Sequence, residues 1–185
     1  MKTAAFRLIA VVSIGVVLTL TTDVFLTPAN LLNVLRQASL TFLIASGLTL
    51  TILTAGLDLS VGANREAARL SGVPVRARLN LVYILSGAMA GLAALVYLAR
   101  LNSAEADIGE PLTLPAIAAV LVGGTSLFGG AGSLTGTLIG ALTLVLNGMN
   151  LLAVDANWQP LVTGVIVILA VWIDLMTRQR SEAKT

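Results

Sequence analysis

Residues 113–152, "TLPAIAAVLVGGTSLFGGAGSLTGTLIGALTLVLNGMNLL", contain no charged residue and are interrupted by glycines near the middle. A helix that spans a bilayer needs about 20 apolar residues, so this stretch is too long for one span. It forms either two crossings joined by a tight turn at 123–132 or a re-entrant pair of half-helices that meet inside the bilayer. Irregular backbone at that depth is tolerated only when it is buried in protein or lines a wet cavity. We favour the buried, partly re-entrant form.

The whole chain has the composition of a membrane protein. Of its 185 residues, 57% are hydrophobic and 11% are charged, whereas an ordinary soluble domain carries about 25% charged residues. Because Cys and His are absent, disulfides, thiol nucleophiles, imidazole bases and the commonest metal ligands are excluded together. We expect an all-α, polytopic membrane protein that is not an enzyme and has no metal site, with residues 1–185 forming one transmembrane domain.

Four other apolar runs have nearly the length of a span. They lie at 8–22, 38–56, 79–99 and 160–176. Aromatic residues lie near the ends of the last two runs, as is typical at membrane interfaces; these are Tyr83, Tyr97, Trp158 and Trp172. The predicted fold is therefore about four full spans plus the glycine-broken helix pair.

The basic residues predict the orientation, because Lys and Arg are enriched in cytoplasmic loops. With the N-terminus inside, most of the 11 basic residues are cytoplasmic and only Arg36 and Arg100 lie outside. The cytoplasmic set is Lys2, Arg7, Arg65, Arg69, Arg76, Arg78, Arg178, Arg180 and Lys184. The topology is predicted to be N-in and C-in, with 102–111 and 153–159 outside.

A short polar segment at 64–72 separates the second and third apolar runs. Asn64 is a good N-cap, Glu66 lies in the first turn, and Gly72 followed by Pro74 ends the helix. The segment is either a solvated loop or a protruding helix that fits a pocket on a soluble partner. Two alanines would allow close approach, and three charged side chains would offer directional pairing. The candidate residues are Asn64, Arg65, Glu66, Ala67, Ala68, Arg69, Leu70, Ser71 and Gly72.

The glycine block does not bind phosphate, because a phosphate loop needs a lysine that this block lacks. Glycines four residues apart let helix backbones approach closely in lipid, either within one subunit, which we favour, or between two copies. Gly87 and Gly91 have the same spacing in the third run. The candidate packing or pathway glycines are Gly123, Gly124, Gly129, Gly130, Gly132, Gly136 and Gly140.

Two polar residues join these candidates. Asp58 lies at the edge of an apolar run, where a charge is a functional candidate by default; it either lines a path or sits in cytoplasmic water. Asn147 lies on an apolar helix and either bonds between helices, which we favour, or lines a path.

Several stretches resemble ABC importer permeases. "NREAARLSGVPV" at 64–75 resembles the coupling segment of those proteins, with Glu66, Ala67, Ala68 and Gly72 matching its Glu-Ala-Ala…Gly signature. Three further stretches, in the right order, are similar to the ribose/xylose/galactose-type ABC sugar permeases. They are "FLTPANLLNVLRQAS" followed by "GLDLSVG", then "AIAAVLVGGTSLFGGAGSLTGTLIGAL", then "NLLAVDANWQPLVTGVIVILAVWID".

The resemblance implies the membrane-spanning subunit of a bacterial inner-membrane importer for a monosaccharide or related small polyol. It implies alternating access, a second permease subunit, a periplasmic sugar-binding protein and a cytoplasmic ATPase that docks on 64–72. ATP and Mg²⁺ would belong to the ATPase, so no cofactor is expected in this chain, and no nucleic-acid partner is expected.

One departure from the family bears on function. In the family, "DLSVG" is followed by several further spans before the coupling segment, whereas here Gly62-Ala63 leads directly to Asn64. The chain therefore resembles a family member with an internal deletion joined near 62–64. The alternative function is a shortened remnant that inserts, and dimerises or docks the ATPase, without moving solute.

Overall fold

A computed structural model describes residues 2–59, 74–101, 109–126, 132–141, 145–155 and 157–182. All regular structure in these ranges is helical, as the composition predicts. The predicted coupling helix at 64–72 lies outside the described residues, and so do Gly129, Gly130 and most of the segment 102–111 that is predicted to lie outside the membrane.

Seven helices occur in the described ranges. In chain order they are α1 (Lys2–Thr21), α2 (Pro28–Leu59), α3 (Val75–Leu101), α4 (Glu110–Val122), α5 (Leu134–Ala141), α6 (Val145–Leu151) and α7 (Trp158–Glu182). Three helical stretches are long and apolar enough to cross a membrane, namely Pro28–Thr54, Val75–Leu101 and Leu134–Leu151.

Helix α2 begins ten residues before the apolar run at 38–56 that predicted it. Its start is fixed by local chemistry: Thr27 Oγ1 accepts a hydrogen bond from the Asn30 backbone N–H at 3.3 Å, and Pro28 occupies the first helical position. A threonine N-cap followed by proline is a favoured helix start, because proline lacks only an N–H that would have no partner there. The apolar run alone missed this first part of the helix, in which polar residues interrupt the apolar ones.

The glycine block ends one helix and begins the next. After α4, the Thr125 N–H bonds to Val120 O at 3.0 Å and the Gly124 N–H bonds to Leu121 O at 2.8 Å. This Schellman pattern needs a left-handed residue at Gly124, whose φ is 74°. Ser133 then caps α5, because its Oγ accepts the Gly136 N–H at 3.0 Å. The two ends of the predicted break are therefore defined by a helix stop and a helix start.

The core of the described helices is built from small side chains. Ala45 of α2 is buried with four residues of the neighbouring helices, namely Ala116, Ala119, Val120 and Ala141. The hydrophobic effect does not drive helices together in lipid, so their association depends on van der Waals packing. Small residues favour this packing because they let the helix backbones approach closely. Outside this core, α3 and α7 expose many large apolar side chains, Ile84 and Ile168 among them.

Candidate functional site

Helices α4 and α5 form an antiparallel hairpin joined by glycine contacts. A Cβ added at Gly123 would lie 2.6 Å from Gly136 O. A Cβ added at Gly140 would collide with Ala119 O, a backbone atom. Gly136 and Gly140 are both buried. The four-residue glycine spacing of α5 therefore faces α4 within the same chain.

The loop of this hairpin contains an unusual buried hydroxyl. Thr125 is 2% exposed, and its Oγ1 has no hydrogen-bond partner among the described residues. Gly132, which precedes α5, faces this side chain, because an added Cβ would lie 2.7 Å from Thr125 Oγ1. The Thr125 side chain thus packs directly against Gly132, where any larger residue would collide with it.

Helix α2 is attached to this hairpin by a buried hydroxyl pair. Thr49 Oγ1 and Thr137 Oγ1 are 2.7 Å apart, and both residues are fully buried. Thr49 Oγ1 also lies 2.7 Å from Ala45 O within its own helix, to which it donates. Thr137 Oγ1 lies 3.2 Å from Ser133 O, to which it can donate in the same way, so either hydroxyl can be the donor between the helices.

A second polar pair attaches the start of α2 to α6. Asn147 Nδ2 donates to Asn30 Oδ1 at 2.9 Å, and Asn30 Nδ2 donates to Asn147 Oδ1 at 3.3 Å. Asn30 Nδ2 also donates to Phe25 O at 2.9 Å. Each asparagine is only 6% exposed. Asn30 therefore uses both of its N–H groups, whereas the described residues leave one N–H and one lone pair of Asn147 unused.

A cavity of about 60 Å³ lies between these two attachments. It is bounded by one face each of α2 and α4, and by α5, α6 and α7. The lining residues are Val34, Gln37, Ala38, Thr41, Pro115, Ala118, Ala119, Val122, Gly140, Ala141, Leu146, Asn147, Thr163 and Ile166. The α2 and α4 members recur at intervals of three and four residues, which places each set on one helix face.

The polar groups of the cavity are neutral. Thr163 Oγ1 donates to Gln159 O at 2.8 Å, so it presents acceptor lone pairs to the cavity. Gln37 and Thr41 make no hydrogen bond to the described residues. No Asp, Glu, Lys or Arg is among the described residues that line it. The arrangement can hydrogen-bond an uncharged polar molecule through both donors and acceptors, and it offers no ion pair.

The structure brings together only some of the predicted site residues. Gly140 and Asn147 line the cavity, while Gly123, Gly124 and Gly136 belong to the hairpin beside it. Asp58 lies in the last turn of α2, and its side chain is outside the described residues.

Sequence reasoning missed four polar residues of this region, namely Asn30, Gln37, Thr41 and Thr163. A usable signal was present, because each is an uncharged polar residue on a helix otherwise rich in apolar side chains. In lipid such residues tend to face other helices or a wet cavity.

The chain matches a known family and several known proteins. Residues 59–171 match the family described as "Branched-chain amino acid transport system / permease component". The chain is 48% identical over 117 residues to the ribose import permease protein RbsC of Escherichia coli (strain K12), covering 62% of this chain and 36% of the relative. It is 42% identical over 124 residues to the xylose transport system permease protein XylH of the same strain, covering 66% and 32%.

A third relative extends the comparison to another bacterium. The probable ABC transporter permease protein y4mJ of Sinorhizobium fredii (strain NBRC 101917 / NGR234) is 40% identical over 126 residues, covering 67% of this chain and 38% of the relative. The matched part thus spans about a third of the length of these relatives, and no solved structure matches the chain. Since the family match covers more than half of its residues, the chain belongs to this permease family, and within the family it is similar to RbsC and XylH.

Proposed function

We propose that the chain is a membrane-spanning permease subunit of a bacterial ABC importer for a monosaccharide or related small polyol. The observation that carries the proposal is a cavity between α2, α4 and the C-terminal helices whose mostly apolar wall contains four uncharged polar side chains and no charged one among the described residues. It occurs in a chain 48% identical, over the matched part, to a ribose import permease. The cavity lies on the solute path, and alternating access opens it to one side of the inner membrane at a time.

The membrane arrangement we propose is N-in and C-in, with about four full spans and the α4–α5 hairpin. At 1.5 Å per residue, the 13 residues of α4 extend about 20 Å. This is shorter than the hydrocarbon core of about 30 Å, which supports a re-entrant α4, whereas Leu134–Leu151 is long and apolar enough to cross. Cysteines introduced at Ser103 and Ala156 should react with an impermeant reagent from outside only. Reaction from the cytoplasmic side alone would contradict this topology.

The energy source we propose is a separate cytoplasmic ATPase that binds residues 64–72. An isolated helix of this length is marginal in water, so the partner's pocket would hold it. Glu66→Arg should weaken ATPase capture, because it opposes the helix dipole and places a third positive charge beside Arg65 and Arg69. Ala67→Trp should do the same by steric blockage.

Co-purification with the cognate ATPase measures this effect, and Arg78→Glu is the matched control. Arg78 is an exposed charge on α3 outside the segment, so its reversal should leave ATPase capture unchanged. Equal capture by wild type, Glu66→Arg and Ala67→Trp would contradict the docking role.

A specific observation favours a second function, that of a non-transporting remnant. The matched part covers only 32–38% of the relatives, and the join near 62–64 omits spans that contribute to the family's path. Sugar uptake in a permease-null strain, with the cognate ATPase and binding protein supplied, decides between the two. Restored uptake supports the permease. Membrane insertion with ATPase capture but no uptake supports the remnant.

A further inference from the structure

We infer that the cavity is a binding site for a small uncharged solute with several hydroxyl groups, in which Gln37 and Asn147 bind the solute and Asn30 positions Asn147. This inference deepens the proposed function and rests on it for the identity of the moving solute.

The hydrogen-bonding groups of the cavity match hydroxyl groups. A hydroxyl donates once and accepts twice, so a polyol needs donors and acceptors close together. The carboxamide of Gln37 offers both and has no partner among the described residues. Asn147 offers one N–H and one lone pair beyond its pairing with Asn30. Thr41 adds a hydroxyl and Thr163 adds acceptor lone pairs.

The same lining disfavours a zwitterion such as a branched-chain amino acid. An ammonium or carboxylate that leaves water loses several kcal/mol unless it is paired, and the described lining residues supply no opposite charge. The remaining lining side chains are aliphatic, as with Val34, Val122 and Ile166. These aliphatic side chains can pack against the C–H groups of a polyol, but they make no hydrogen bonds to its hydroxyl groups. The residues that line the cavity therefore suit a neutral polyol better than a zwitterionic amino acid.

Asn30 holds Asn147 in its binding orientation. It is absent from the cavity lining and lies behind Asn147, where it is anchored to Phe25 O. Because both N–H groups of Asn30 are used, the reciprocal pair fixes which edge of the Asn147 carboxamide faces the cavity. A substitution at Asn30 should therefore act on the solute only through Asn147.

The cavity must widen before a monosaccharide can bind. Its volume of about 60 Å³ accepts only a few water molecules, since each needs roughly 10–15 Å³. The wall formed by Gly140 and Ala119 cannot contract further, because a single added Cβ would already collide there. Entry of a pentose thus requires movement of α2 or α7 away from the α4–α5 hairpin. Solute binding is in this way tied to the relative position of the helices.

The test is equilibrium binding of D-ribose and L-leucine to the purified full chain in lipid nanodiscs. D-ribose should bind saturably and be displaced by D-xylose but not by L-leucine. Gln37→Met should weaken D-ribose binding about tenfold, the effect of losing a hydrogen bond to a buried polar group. It should leave thermal stability unchanged, because Gln37 has no hydrogen-bond partner to lose among the described residues. Asn33→Met is the matched control, since Asn33 is an exposed carboxamide one turn earlier and outside the cavity.

The role of Asn30 requires a double-mutant cycle. Asn30→Ala should weaken D-ribose binding in the wild-type background and have no further effect in an Asn147→Leu background. Thr49→Val, which removes the other polar attachment of α2, should lower stability without changing affinity. A purely structural role for Asn30 would instead give additive losses in both backgrounds.

Three results would overturn the site: no saturable D-ribose binding, equal competition by L-leucine, or wild-type affinity in Gln37→Met. The proposed function fails separately. If D-ribose binds as expected but no uptake occurs with the cognate ATPase, the binding site stands and the transport role falls. If uptake is restored but Gln37→Met and Asn147→Leu transport with unchanged KM, the transport role stands and the site falls.

Discussion

Two parts of the molecule carry glycines at the same four-residue spacing, yet they have different surroundings. In the α4–α5 hairpin, Gly140 faces the backbone of α4 so closely that no Cβ could be accommodated. In α3, a Cβ added at Gly87 or Gly91 would meet nothing within 4 Å. Small residues at this interval permit close helix packing but do not require it. The glycine spacing therefore predicts which helix faces permit close packing. It does not predict whether a second helix packs there.

The largest effect should come from Gly140→Ala. The new methyl group would collide with Ala119 O, and a backbone oxygen inside a helix cannot rotate away as a side chain could. Overpacking of this kind costs about 1–3 kcal/mol, and we expect the upper end of that range. The measurement is the thermal unfolding of the detergent-solubilised protein, monitored by size-exclusion chromatography of heated samples. An unfolding temperature equal to that of wild type would contradict the close contact between the two helices.

Asn30→Leu should have the next largest effect. It leaves the buried carboxamide of Asn147 without its partner, and an unsatisfied buried polar group costs about 1–3 kcal/mol. The double variant Asn30→Leu/Asn147→Leu should recover part of this loss, because no orphaned amide remains. Thermal unfolding of the two single variants and the double variant checks this. Strictly additive losses would mean that the two asparagines do not depend on each other.

The sequence indicates the class of this fold better than its interior. Hydropathy predicted helices over the correct stretches. Side chains that face lipid, such as Ile84 and Ile168, must be apolar whichever helices lie beside their own, so a local run of apolar residues is enough to reveal the helix. It missed the first ten residues of α2, which begin at a capped proline and mix polar with apolar side chains. It also gave no pairing between Asn30 and Asn147, which are 117 residues apart. Which polar residues meet inside the bundle depends on helix rotation, and no local pattern encodes that.

Replacing the buried threonines Thr49 and Thr125 by valine should change stability less than the substitutions above. Thr49→Val removes the bond to Thr137 and should cost about 0.6 kcal/mol, the average for such bonds between helices in a membrane protein. Thr125→Val should be neutral or stabilising, because that hydroxyl is buried without a partner among the described residues. The same isosteric change should thus give opposite signs at the two sites. Unfolding temperatures of the two variants measure this, and equal losses would mean that Thr125 has a partner after all.

The smallest effect should come from the glycines of α3. Gly87→Ala and Gly91→Ala add a methyl group where nothing lies within 4 Å, and alanine favours a helix by roughly 0.5–1 kcal/mol over glycine. Both variants should unfold at the wild-type temperature or slightly above it. Gly47→Ala is the matched contrast on the same helix pair, because its Cβ would lie 3.0 Å from Ser86 Oγ and 3.1 Å from Ser86 O. That variant should lose stability although it makes the same chemical change. If Gly87→Ala or Gly91→Ala is as destabilising as Gly47→Ala, the exposed face of α3 must contact another chain in the folded assembly.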